Sequence, residues 1–452
     1  MARRRRRQLS AGLVGVVVLL AGCRVSPRPP PPAGRAVFPG AQGFGTTTVG
    51  GRGGRVIEVT ILGDGGPGSL REALEATGRR IVVFRVGGTI ELTDEIEIAN
   101  PYVTVAGQTA PGGGITLKSK ASNTSGTIDI RTHDVVVRYL RMRSGPHTEE
   151  GESNPVAIDN GASNVVIDHC SLSWGVNENL TSYDDAQNIT FSWNIVSEAL
   201  RHSSHPEGEH SRGLFISGDN SRNVTAHHNL IVHNNRRNPE VNTVGTVDVV
   251  NNVIYNYGEV AAQVSDKRGG VPLNLVGNYF KPGPDSDLSR YELDAYLVRG
   301  AGLRLYVRGN LGPHRRGSSV PDADVVEPEG RRFMVGSRHV APTVRTTSAA
   351  QAYEEVLAGA GARVPFIDPV DQRVIRDVRN GTGRIIDDPH EVGGWPSLAR
   401  GTAPQDSDRD GMPDTWESAR GLDPHLVDGA GDRNRDGYTN VEEYVNGLAP
   451  RP

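Results

Sequence analysis

Cysteine is nearly missing from this chain. Cys23 and Cys170 are the only two in 452 residues, which excludes a disulfide framework as the source of stability. Cys170 reads as a buried small hydrophobe. Aromatic residues make up only 5%, and no long amphipathic helical pattern separates the apolar runs, so thick helical packing is excluded. No basic stripe is present and the formal net charge is −4, which argues against nucleic acid as a partner. The longest apolar stretch, Leu9 to Leu20, is too short to span a bilayer.

Glycine (56) and proline (29) are abundant instead, the composition of a chain with many tight turns. Short β-branched runs punctuated by Asn, Asp or Gly recur. They are Tyr102–Val105, Val135–Val137, Asn164–Ile167, Asn188–Phe191, Asn223–Thr225 and Val247–Val250. Aligning them puts Cys170, Asn194, Asn229 and Asn252 in one column, each six residues after Asn164, Asn188, Asn223 and Thr246. Repeats of this length, each with one short strand unit, indicate a solenoid of the parallel β-helix kind. Stacked asparagines can then bond along the coil axis. Ser69 to Leu74 reads as a short helix capping the N-terminal end, and the extra segment Ser197–Arg212, rich in His and Glu, reads as a functional loop. Residues 285 to 400 are less regular and are expected to complete and cover the stack.

The first residues carry Arg3 to Arg7, the apolar run, and Leu20-Ala21-Gly22-Cys23. This is an export-signal pattern over residues 1–22. Leu-Ala-Gly-Cys resembles the bacterial lipoprotein signal, which implies a lipidated Cys23 and anchoring at the cell envelope without a membrane span; plain secretion is the other reading. Residues 23–36 are Pro-rich and suit an extended tether.

From Gly401 the composition changes. Asp406, Asp408, Asp410, Met412, Asp414 and Glu417 occupy positions 1, 3, 5, 7, 9 and 12 of a loop with Gly411 at position 6. Asp432, Asn434, Asp436, Tyr438, Asn440 and Glu443 repeat the pattern with Gly437. This is the EF-hand arrangement for Ca2+, with Met412 and Tyr438 ligating through their carbonyls. The expected layout is a 37–400 β-helix followed by a 401–448 module of paired calcium loops, structural or adhesive in role.

Several passages together resemble polysaccharide lyase family 1, the pectate lyases: Phe38-Pro-Gly-Ala-Gln-Gly-Phe44, Ile81 to Ile90, Val105 to Gly112, Val166 to Trp174, His228-Asn229-Leu230, Arg237-Asn238-Pro239 and Val392 to Pro396. The resemblance implies an all-β, right-handed parallel β-helix and calcium-assisted eliminative cleavage of an acidic polysaccharide, pectate or polygalacturonan. It also implies that Arg237, two residues before a proline, is the catalytic base, and that Arg212 binds substrate. Arg236 is a candidate for substrate binding and for straining the charge of Arg237. Acidic calcium ligands of the family fall on Asn154 and Asn177, with Glu178 retained, and a second family arginine is replaced by Asn242. Each exchange of Asp for Asn removes a charge from that calcium site. Asp168 and His169 form an acid–base pair of residue types, expected mid-strand and structural. A monomer is expected. Two alternatives stay open: a β-helical hydrolase using acids such as Asp184 and Asp185, and a non-catalytic polysaccharide-binding or adhesion protein.

Overall fold

Residues 35–300 and 302–449 are described in a computed structural model. The signal, the Pro-rich tether and Cys23 lie outside the described residues, apart from Arg35 and Ala36.

Three parallel sheets wind around one core. The first holds ten strands, from Arg55–Val59 to Arg304–Arg308, and the other two hold eight each. All ladders are parallel, and successive strands of one sheet come from successive coils. This is the right-handed parallel β-helix anticipated above. The six β-branched runs fall on six consecutive strands of the first sheet. Register aligns like with like, so that Val135, Val165, Ile189, Val224, Val247, Leu273 and Leu305 form one inward row. Each of them is buried. A one-residue slip would turn the whole row to solvent, so the pattern fixes the register.

At the corner after the first sheet the asparagine ladder forms as expected. Asn194 donates through Nδ2 to Asn229 Oδ1 at 3.0 Å, Asn229 to Asn252 at 2.9 Å, and Asn252 to Asn278 at 2.9 Å. Asn278 continues it to Asn310 at 2.9 Å, two rungs beyond the sequence alignment. Each oxygen also accepts a backbone N–H of the preceding coil, so the buried turn leaves these amides satisfied.

Asp168 and His169 are not mid-strand. Asp168 ends its strand and His169, with φ 51°, forms the left-handed corner. Tyr139, His169, Trp193 and His228 share that corner and stack at centroid spacings of 4.9, 5.8 and 4.5 Å. Burial would raise the Asp168 carboxyl, but His169 at 2.9 Å, Arg138 at 2.8 Å and Ser192 at 2.7 Å hold it well below the usual carboxylate range. Its role is structural.

The N-terminal helix α1 (Leu70–Glu75) is capped by Ser69. Two further helices, α2 (Ala349–Gly359) and α3 (Pro369–Asn380), cover the third sheet. Val356, Leu357, Val374 and Val378 pack on Ile195, Leu230, Val232, Val253 and Tyr255. Beneath α3 lies a buried ion network: Arg143 donates to Asp368 and, at 2.7 Å, to Asp371, and Ser171 donates to Asp371 at 2.6 Å. Arg373 on the same helix holds both oxygens of Glu198, at 2.7 and 2.8 Å. Asp184 and Asp185 sit at an outer turn, and Asp185 is bonded to Asn220.

The C-terminal segment from residue 401 packs on the outside of the first coils. Its helices are α4 (Asp414–Arg420) and α5 (Asn440–Gly447). Met412, Val441 and Val445 cover Ile81, Val83 and Ala106. Among the described residues no helix is long and apolar enough to cross a membrane.

Candidate active site

The second sheet carries a groove of about 690 Å³. Alternation decides which side chains reach it. Val156, Leu180 and Leu214 share one inward row, so Ala157, Thr181, Phe215 and Glu240, aligned strand to strand, face out and form the floor. The loop Ser197–Arg212 supplies one wall through His205, Glu207 and His210, and Lys267, Arg268, Tyr296 and Arg299 line another part.

Arg237 lies in this groove. Its backbone is left-handed (φ 58°), which turns its guanidinium over the Phe215 ring, 4.1 Å from the centroid. The guanidinium is clamped between two acids, donating to Glu178 and lying 2.9 Å from Glu240. Glu240 also accepts from the Tyr296 hydroxyl. Burial pushes the Glu178 carboxyl above its ordinary value, with Arg237 and Arg212 opposing. Burial, then Arg237, lowers Arg212. His210 is driven down to about 2 by burial and by Arg212, His205 and Arg237, so it is neutral.

Arg212 lines the groove as expected. Arg236 does not. The chain reversal at Arg237 sends it to an adjoining cavity of about 200 Å³ that Arg212, Arg237 and Glu240 also line, and it pairs with Glu259 at 3.6 Å.

Asn154, Asn177 and Glu178 all reach the groove, but they do not make a calcium ligand set. The Asn154 amide oxygen accepts the Glu178 N–H at 2.9 Å, and the Asn177 oxygen accepts from His210 Nε2 at 2.8 Å. Glu178 is itself paired with Arg237. Calcium takes roughly six to eight oxygens, and these residues do not fit it as a resident ion. The residues that sequence reasoning missed are Glu240, Lys267, Arg268, Tyr296 and Arg299. Coil stacking brings them in, and only the position of Glu240 three residues after Arg237 could have flagged one.

No family model matches the chain. Curated relatives do. Probable pectate lyase C of Aspergillus flavus is 35% identical over 420 residues, covering 91% of this chain and 94% of that protein. The chain belongs to the pectate lyase family. Probable pectate lyase C of Aspergillus fumigatus is 36% identical with the same coverage. By that membership the chain is a polysaccharide lyase, and the non-enzymatic alternative falls away. Among solved structures, the cedar pollen allergen jun a 1 matches with TM-score 0.53 at 17% identity, covering 71% of this chain and 92% of that one. A pectate lyase studied for anti β-elimination matches with TM-score 0.51 at 14% identity, covering 73% and 98%. Both show the β-helical fold of this pectate lyase family member.

Within this lyase, Glu178 must be ionised to hold Arg237. Because its folded pKa is raised, the ionised form persists only above the ordinary glutamate range. The acid limb of kcat/KM is therefore expected above pH 4.5, the ordinary value, and a pH–rate profile of Glu178→Gln should lack that limb.

Proposed function

We propose that the groove cleaves pectate or a related polyuronate by β-elimination, outside the cytoplasm. The observation that carries this reading is Arg237, held over Phe215 at the centre of a groove that also presents Arg212, Lys267, Arg268 and Arg299. A uronate C5 proton becomes removable only when the neighbouring carboxylate is neutralised, so that enolate-like charge can develop. Arg212 supplies a fork-shaped, half-buried cation for that carboxylate. Acting as its neutral guanidine, Arg237 takes the C5 proton and becomes guanidinium; the C4–O bond then breaks as the C4–C5 double bond forms, and the departing sugar oxygen takes a proton from water.

Glu178 and Glu240 grip the Arg237 guanidinium from two sides. That clamp supports a second reading, in which Arg237 binds a uronate carboxylate and another group takes the proton. The acids named for the hydrolytic alternative, Asp184 and Asp185, do not line the groove. The export-signal pattern of residues 1–22 supports the extracellular setting; a lipid anchor on Cys23 rests on Leu20 to Cys23 alone.

Steady-state kinetics on polygalacturonate and on its methyl ester test the carboxylate reading. Arg212→Met should raise KM on the free acid about tenfold, the loss of one charge-assisted bond, and leave the ester nearly unchanged. Equal effects on both substrates would remove Arg212 from carboxylate recognition.

A further inference from the structure

Two loops in the C-terminal segment share one backbone plan. Arg409 and Arg435 at position 4 are left-handed (φ 62° and 61°), and Gly411 and Gly437 follow at φ 92° and 89°. Their fates differ. In the second loop Arg433 to Asp436 are exposed, and Asn434 donates to Glu443 across it. The first is closed: Glu417 is fully buried, and neither of its carboxylate oxygens has a hydrogen-bond partner.

Around Glu417 the acids crowd. Oxygens of Asp406, Asp408 and Asp410 lie within 4.8 Å of one another, and so do those of Asp410, Glu417 and Asp428. Arg85, 3.8 Å from Asp406, is the one ion-pair partner these five carboxylates have among the described residues. Burial and the surrounding acids push Glu417 up to about 8. A buried carboxylate with both oxygens unpaired among four others is unfavourable unless a cation is bound.

Position 9 does not join either cluster. Asp414 accepts the Ser407 N–H at 2.8 Å, and Asn440 accepts the Arg433 N–H at 3.1 Å, so each ties its own loop's backbone. Asp428, outside both twelve-residue patterns, faces the first site instead. It is held there by its N–H to Asp410 Oδ2 at 3.0 Å and by Asn440 Nδ2 to its own Oδ1 at 3.1 Å. Gly429 permits this approach, because a Cβ there would lie 2.6 Å from the Asp410 carbonyl oxygen.

We propose that Asp406, Asp408, Asp410, Glu417 and Asp428 hold one hard divalent cation of the calcium class, and that this cation staples the C-terminal segment onto the first coils of the β-helix. The ligands are all hard oxygens, which suit calcium rather than a transition metal. The staple acts through the seam beside it. Met412 follows the ligand Asp410 and packs on Ile81 and Val83. Asn440, which fixes Asp428, begins α5, whose buried Glu442 accepts from Arg52 Nε through both carboxylate oxygens, at 2.9 and 3.1 Å. Asn446 of α5 accepts from Arg138 at 3.1 Å. Without the cation, mutual repulsion loosens the first loop and with it this seal. The site stands apart from the groove and does not depend on its chemistry.

Calorimetric titration of the chelator-treated full chain with calcium, together with thermal unfolding and limited proteolysis, tests the staple. Wild type should bind tightly at this site, gain several degrees in Tm, and resist cleavage within 401–449. Asp428→Asn keeps the acceptor for Asn440 but removes a charge, and should weaken the tight site about tenfold or more and shrink the Tm gain. Glu178→Gln, in the groove, should keep both. The proposal is overturned if Asp428→Asn titrates like wild type, or if calcium leaves the Tm and the proteolysis pattern of wild type unchanged.

Discussion

Arg237→Ala is expected to lower kcat on polygalacturonate about 1,000-fold, within the range for removing a positioned proton acceptor. That is about 4 kcal/mol of transition-state stabilisation. The partition between constants carries the information. A base acts on the transition state, so kcat falls while KM moves little. A carboxylate-binding fork acts on bound substrate as well, so KM rises and kcat is largely kept. Arg237→Lys sharpens the contrast, because lysine keeps the charge but loses the planar fork between Glu178 and Glu240. Near-wild-type kcat with raised KM in both variants would favour the second reading of this side chain.

Arg143→Met should destabilise the chain by about 3–5 kcal/mol, because it leaves Asp368 and Asp371 buried without their main cation. All three side chains are essentially inaccessible to solvent. Arg141 remains 3.6 Å from Asp368, but two of its bonds are already given to the carbonyls of Gly113 and Ala362. Arg71→Met is the matched control. Its pair with Asp64 is partly exposed, and exposed pairs contribute under about 1 kcal/mol. Urea unfolding of the two variants should differ accordingly, and hydrogen exchange should locate the Arg143 effect in α3. The consequence reaches the groove. Residues just after α3 hold the catalytic-side loop, with Arg201 N–H on the Ile386 carbonyl at 2.9 Å and His202 on Asp387 at 3.1 Å.

The β-helix was legible because its signal is local and repeated. Each coil announces itself by a β-branched run and, in several, by an asparagine at a fixed offset, and like residues then stack in register. Arg237 was legible through Arg237-Asn238-Pro239, a motif contiguous in sequence. Glu240, Lys267 and Tyr296 were not, since they meet Arg237 only through coil stacking. Arg236 lies outside the main groove because the chain turns left-handed at Arg237, which puts it in the adjoining cavity and facing Glu259. At Asn154 and Asn177 the residue types were right for oxygen ligation, but their amide oxygens are taken by Glu178 N–H and His210, which only coordinates reveal. Asp428 was invisible because it lies outside the twelve-residue pattern. The helices α2 and α3 had readable caps in Ser348, Asp368-Pro369 and Gly381, but the repeat signal of the preceding coils dominated the reading.

The most direct test follows new reducing ends and the ultraviolet absorbance of unsaturated uronate ends together, as the enzyme acts on polygalacturonate. Elimination creates one of each per bond broken, so the two signals should rise in equal molar amounts for wild type, and both should collapse in Arg237→Ala. Reducing ends that accumulate without absorbance would mean hydrolysis and would contradict the eliminative account.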